Sequence, residues 1–317
     1  MQNLEILDKR FRELSEYRFK EFEAGLLRQK ALFDRAAKFE KSREKARREF
    51  LESTGINLAN LDRGRAKELR SQTKELREFL DEFKPTAVSR PGKGAADTKD
   101  AAVRSAAFAE AGHLVLPPFA SSIFVGDKGV LANDPGETGS GAINSGWIFP
   151  EDPAKIRMMT SGQADVWCFQ AVAGPADPEF AVNFAFIPAT TATYEMTAIL
   201  AFHGFYILRS DDGYFSCKHA EVKLSVQMNV NQYVDIGWQS FPALIDRDES
   251  NVEEVTTYDR TQFLDYTTVL KAGDPVVVTV KGTLHAFARG SGAYAELNFQ
   301  AGTANYIEPL FLSVQQV

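Results

Sequence analysis

The chain has 317 residues, 44% of them apolar and 25% charged, with a formal net charge of -7. These values describe a folded protein of about two domains and exclude a collagen-like chain, a disordered tail and a disulfide-rich miniprotein. The longest apolar-looking run, Thr197 to Leu208, is about 12 residues and carries His203, short of the ~20 that a spanning helix needs, and the acidic balance argues against nucleic acid as a partner.

Charge is uneven along the chain. Residues 1–84 hold 21 basic and 17 acidic residues, and the remainder is acidic. Opposite signs point to two segments with different surroundings. The N-terminus, Met1 to Arg10, has no basic region followed by an apolar one, and neither end carries a lipidation motif. The expectation is synthesis without an export signal, with the protein cytoplasmic or released by lysis or a dedicated machine.

Residues 3–52 read as one long helix, with no proline, one glycine (Gly25) and many strong helix formers. Leu4, Leu7, Phe11 and Leu14 start a heptad. Phe11, Phe22 and Phe33 are then spaced by eleven, as are Phe39 and Phe50. Eleven residues make three turns, so this stripe stays on one face. Gly55 ends the helix, a second follows over about 61–84, and Pro85 closes it. Two helices joined by a short connection predict an antiparallel hairpin or coiled coil. The second is too short to cover the whole stripe. Leu4, Leu7, Phe11, Leu14, Phe22, Phe33, Phe39 and Phe50 are therefore the candidate oligomer interface, with a second copy of the chain as partner. An amphipathic membrane helix is disfavoured, because no basic face stands out.

Residues 85–112 have linker composition, with a short helix expected near Asp100–Glu110. The domain boundaries are thus 1–84, 85–112 and 113–317. Beyond His113 the period changes to two. Ala220 to Val230 alternates without a break, as do Phe180, Val182, Phe184 and Phe186, then Val276, Val278 and Val280, then Ala293, Ala295, Leu297 and Phe299. Ser210-Asp211-Asp212-Gly213 and Gly290-Ser291-Gly292 read as hairpin turns, and Leu310 to Val314 as a last strand. About eight to ten short strands predict an antiparallel β-sandwich, jelly-roll-like. The fold class is α + β in two parts.

Val269-Leu270-Lys271-Ala272-Gly273-Asp274-Pro275-Val276-Val277-Val278 is similar to the penultimate hairpin of C1q/TNF-like jelly rolls. Those proteins carry the domain after a trimerising stalk, so the resemblance implies a trimer. It covers about one strand and its turn, and the aromatic pattern elsewhere does not follow the family, so the chain is not assigned to it.

No phosphate-binding, dinucleotide, zinc-protease, nucleophile-elbow or kinase signature is present. His203 and His285 interrupt strand-like stretches and are the histidine pair that could meet across a sheet. Hydrogen-bonded strand histidines are the expected reading, and no metal or cofactor is expected. Asp246, Asp248, Glu249, Glu253 and Glu254 cluster, but their spacing is not that of a calcium loop. Cys168 and Cys217 lack metal spacing and are expected to be buried and reduced. Trp147, Trp167 and Trp238 could offer stacking platforms for a glycan, Trp147 being the one set in a Gly/Pro-rich stretch. The candidate ligand-binding residues are Trp147, Asp246, Asp248 and Glu249.

The leading expectation is a non-enzymatic structural or attachment protein, a particle, fibre or adaptor component or a stalked lectin. Its helical stalk would assemble, and its sandwich would bind a glycan or another protein. The alternative is a pore-forming or insecticidal-type toxin, with membrane contact through its helices.

Overall fold

The structure, a computed structural model, describes residues 2–89, 103–125, 141–149, 152–164, 171–172, 177–210, 218–232, 237–290 and 292–317. Two helices, α1 (Gln2–Ser53) and α2 (Leu58–Ser89), precede fourteen strands. Residues 103–110 are also helical. Gly55, at φ 81°, supplies the left-handed residue that ends α1.

The strands form two antiparallel sheets of seven. Sheet A joins β1 (Leu114–Leu116), β3 (Gly141–Phe149), β4 (Asp152–Ala164), β7 (Ala192–Arg209), β11 (Glu253–Leu270), β13 (Ala293–Asn298) and β14 (Tyr306–Gln316). Sheet B joins β2 (Ala120–Phe124), β5 (Ala171–Val172), β6 (Glu179–Phe186), β8 (His219–Asn231), β9 (Gln239–Ser240), β10 (Ile245–Glu249) and β12 (Val276–Arg289). Their inner faces make one core. Phe180, Val182 and Phe184 from sheet B meet Met196, Leu200 and Phe202 from sheet A. Gly282 lies so close to the Phe180 ring that a Cβ there would sit 2.1 Å from it. The expected two-part order, helices and then a sandwich, is what the chain adopts.

Three expectations need correction. The first concerns connections. The sequence segments 210–213, 271–275 and 290–292 do not connect strands paired with each other. The strands on either side, β7 and β8, β11 and β12, and β12 and β13, lie in different sheets. Each pair presents apolar residues to the same core from opposite sides. A turn signal marks where the chain reverses, not which sheet receives the next strand. The segment similar to a C1q/TNF-like hairpin is therefore a passage between sheets.

The second concerns Pro85, which lies inside α2 rather than after it. A proline in a helix interior costs about 3 kcal/mol. Val88, one turn on, packs against the cluster of Phe205, Ile207 and Tyr294 on sheet A, and Lys84 pairs with buried Glu296. These contacts offset the loss.

The third concerns the helices themselves. An ion pair between them, Arg48 Nη2 to Asp62 Oδ2 at 2.9 Å, is beside the turn. Further out each helix takes a different sheet. Phe11 and Phe22 of α1 meet Phe119 and Phe124 at the β2 edge of sheet B, with ring centroids 5.4 and 5.0 Å apart. Leu76 and Phe79 of α2 are buried on sheet A. The molecule is layered helix, sheet, sheet, helix, and the two helices straddle the sandwich. A coiled-coil seam along both helices is not what these residues form.

Candidate functional site

The outer face of sheet B is polar by sequence. Period-two alternation sends Ala220, Val222 and Leu224 inward and His219, Glu221 and Lys223 outward on β8. On β12 it sends Leu284 and Ala286 inward and Lys281, Thr283 and His285 outward. Under α1, Asn183, Thr279 and Asn229 stand in register across β6, β12 and β8. Thr279 Oγ1 donates to Asn183 Oδ1 at 2.6 Å, and Asn229 Nδ2 donates to the Gly237 carbonyl at 3.0 Å. All three are buried, so each needs the partner it has.

Helix α1 docks on this ladder through guanidinium groups. Arg18 Nη1 donates to Asn183 Oδ1 at 3.0 Å. Arg10 Nη2 donates to Asn231 Oδ1 at 3.3 Å and to the Gln232 carbonyl at 3.2 Å. Arg18 also stands over the Trp238 ring, 5.2 Å from its centroid, and Lys281 lies 4.8 Å from the same ring. An indole flanked by two cations is an aromatic recognition surface, filled here from within the chain.

Among the described residues, clefts remain beneath α1. The larger, about 410 Å³, is lined by Arg18, Glu21, Phe22, Trp238, Glu179 and Lys281, among others. The smaller, about 300 Å³, lies between Leu14, Tyr17 and Arg18 of α1 and Asn229, Asn231 and Trp238. Glu179 is 3.7 Å from Lys281 Nζ and accepts from Thr283 Oγ1 at 3.3 Å. Burial pushes its carboxyl above the ordinary value, against the downward pull of Lys281. The arrangement offers an aromatic plane, a carboxylate, an ammonium and a hydroxyl around one cleft, which is hydrogen-bonding equipment for a polar, hydroxyl-rich ligand.

The sequence candidates fall in several places. Phe11, Leu14 and Phe22 are partly covered by the sandwich of their own chain. Phe39 and Phe50 are 65% exposed. The side chains of Leu4, Leu7, Phe33 and Trp147 lie outside the described residues, although their backbones belong to α1 and β3. Asp246 and Asp248 are on strand β10, not in a loop, and share a face. Asp246 pairs with Lys223 at 3.2 Å and Asp248 with His219 at 3.0 Å. Glu249 points the other way, beside Arg247 at 3.2 Å, so the three do not converge. His203 is buried on sheet A against Asp259 at 2.7 Å, whereas His285 is on sheet B, so that pair does not meet. Cys168, Cys217 and Trp167 lie outside the described residues.

No family model and no curated protein matches the chain. Among solved structures the chain is similar to TmCBM61 in complex with beta-1,4-galactotriose, at 10% identity over 56% of this chain and 88% of that one, with a TM-score of 0.21. It is similar to a CBM4 structure at 11% identity over 50% and 79%, TM-score 0.18. It is also similar to the enzymatically active domain of tailspike protein 4 of bacteriophage CBA120, at 8% identity over 56% and 19%, TM-score 0.21. Likenesses of this size define neither a family nor a ligand.

Proposed function

We propose that the chain is a non-enzymatic attachment or assembly protein. Its helical arm joins copies of the chain, and its sandwich carries a polar binding face on sheet B. The observation that supports this reading is the apolar row left open on α1. Leu32, Phe39 and Phe50 are each 65% exposed, share one side of the helix, and lie beyond the part of α1 that meets the sandwich. Helix α1 has 52 residues, about 78 Å of length. Arg10, Phe11, Arg18 and Phe22 make the contacts to the sheet B side. Burying a Phe side chain contributes about 1.5–3 kcal/mol, so the open row is a substantial gain for whatever covers it. A second copy needs no further component, and symmetric self-association is the common route for soluble chains.

Light scattering on the full chain tests the assembly reading. The expected result is a mass that is a multiple of 35.2 kDa, and Phe39→Ser plus Phe50→Ser returns it to one copy. A wild-type monomer at tens of micromolar would remove the assembly role. A glycan array tests the binding face, with Trp238→Ala as the variant that loses signal. Among the described residues no helix is long and apolar enough to cross a membrane. Dye leakage from liposomes in the same experiments would favour the membrane-active alternative.

A further inference from the structure

A second cluster occupies the outer face of sheet B, at the end of β8 away from Asn229. His219 and Glu221 project two residues apart on the outer side of β8. Asp248 of β10 is directly opposite Glu221. One ligating atom from each of these three lies within 4.8 Å of the others. On the other flank of β8, Phe287 opposes Glu221, and His285 is the next outward residue of β12. His285 Nε2 is 3.9 Å from Glu221 Oε1, and its Nδ1 is 2.9 Å from Asp177 Oδ2. An ionised carboxylate only accepts, so the proton in that contact belongs to Nδ1. In the neutral ring, Nε2 is then the bare nitrogen, on the side of Glu221.

We propose that His219, Glu221, Asp248 and His285 bind one divalent transition cation of the zinc class, with Asp177 as the outer carboxylate that orients His285. Two imidazoles with two carboxylates suit zinc and its neighbours, whereas calcium and magnesium take oxygen ligands throughout. The paired strands set the spacing. Around a tetrahedral ion with bonds of about 2.0–2.1 Å, donors stand about 3.3 Å apart. Three of the donors are already within 4.8 Å of one another and His285 Nε2 is 3.9 Å from Glu221 Oε1, so side-chain rotation on fixed strands can close the set. The Asp177–His285 contact is the arrangement that fixes a metal-binding tautomer and makes the ring a better donor. The side chains of His219, Glu221 and His285 are 26%, 28% and 28% exposed, sheltered yet open to an ion from solution. Lys218, Lys223, Arg247 and Arg289 are the cations beside the cluster in sequence or register, and Arg247 is engaged by Glu249 and Glu254. Lys223 is engaged by Asp246 at 3.2 Å. The site uses no residue of α1 and stands independently of the attachment reading.

Calorimetric titration of the full chain with zinc chloride, and visible spectra with cobalt chloride, test the site. The expected result is one equivalent bound, with the absorption bands of four-coordinate cobalt and a zinc-dependent rise in melting temperature. His219→Ala and His285→Ala, each checked for native circular dichroism, should weaken binding at least ~10-fold, and Asp177→Asn by about 10-fold with every ligand still in place. His113→Ala should change nothing. The proposal is overturned if the folded wild type binds neither ion stoichiometrically. Binding that survives in the His219→Ala, Glu221→Gln double variant, or a preference for calcium or magnesium, overturns it equally.

Discussion

The two helices are joined by residues 54–57, yet they dock on the sandwich in opposite ways. Helix α2 meets sheet A through an apolar patch. Leu76 and Phe79 are 1% and 6% exposed and pack on Phe205, Ile207 and Tyr294. Among the described residues, two ionic groups are buried there: Arg209, 5% exposed, stands over the Phe79 ring at 5.6 Å from its centroid, and Glu296 is hydrogen-bonded through both oxygens. Glu296 accepts from Lys84 Nζ at 2.8 Å, from Asn298 Nδ2 at 2.6 Å and from the Tyr294 hydroxyl. Helix α1 meets sheet B through arginines on an amide and hydroxyl ladder. Phe11, Leu14 and Phe22 stay half-buried, and clefts remain in the interface. Apolar burial carries the first contact. The second rests on hydrogen bonds whose net worth is small, because water would replace them on separation. Helix α2 is therefore part of the core, and α1 is a cover over the polar face.

Substitutions on the α2 side should produce the largest effects. Leu76→Ala is expected to cost about 2–5 kcal/mol, as deletion of a fully buried leucine does. Urea unfolding would measure it, and a loss of under ~1 kcal/mol would mean that α2 is not part of the core. Lys84→Met should come next. It removes the cation from a buried carboxylate, a change that costs about 3–5 kcal/mol for a fully buried pair. Lys84 is itself 33% exposed, which places the expectation at or below the lower end.

On the α1 side the same treatment should do little to stability. Arg18→Ala removes one charge-assisted hydrogen bond and one partly open cation–π contact, about 1–2 kcal/mol in all. Its more telling effect should be on access. Trp238 fluorescence should become easier to quench with acrylamide, and unchanged quenching would mean that α1 does not cover the ring. Glu179→Gln should have the smallest effect, visible only in a pH series. Burial raises this carboxyl in the folded state above its ordinary 4.5. Folding is then unopposed by Glu179 below the ordinary value, and a penalty grows as pH rises through the raised one. The stability of the variant relative to wild type should therefore climb as pH rises above the ordinary 4.5 and level off once pH exceeds the raised value. A flat difference would contradict the assignment.

The contrast also explains what could be read from residues alone. Strand β8 was legible because one face meets the core and the other does not, so Ala220 to Val230 alternates cleanly. Helix α1 was legible from composition, with an end set by Gly55. Which sheet a strand joins was not legible, since the turns before β8, β12 and β13 carry ordinary reversal signals. Nor was the far end of α2 beyond Pro85, which depends on Val88 meeting sheet A. The site was hidden for a related reason. Glu179, His219, Glu221, Lys281 and His285 occupy the polar positions of alternating strands, which read as a solvated face. Glu179 and Lys281 meet through the pairing of β6 and β12, with Trp238 arriving from a short connection beside them, and His219, Glu221 and His285 come near one another through the register of β8, β10 and β12. The sequence-based reading reached Asp248, and it singled out His285 but matched it with His203, which lies on the other sheet.

The measurement that tests the comparison most directly is native-state hydrogen exchange on the full chain, resolved to peptides from residues 10–26 and 72–88. Amides of 72–88 should exchange only with global unfolding, since Leu76 and Phe79 cannot leave sheet A without opening the core. Amides of 10–26 should exchange at least ~100-fold faster, through an opening that leaves the sandwich folded. Equal protection of the two segments would contradict the account and make α1 as much a part of the core as α2.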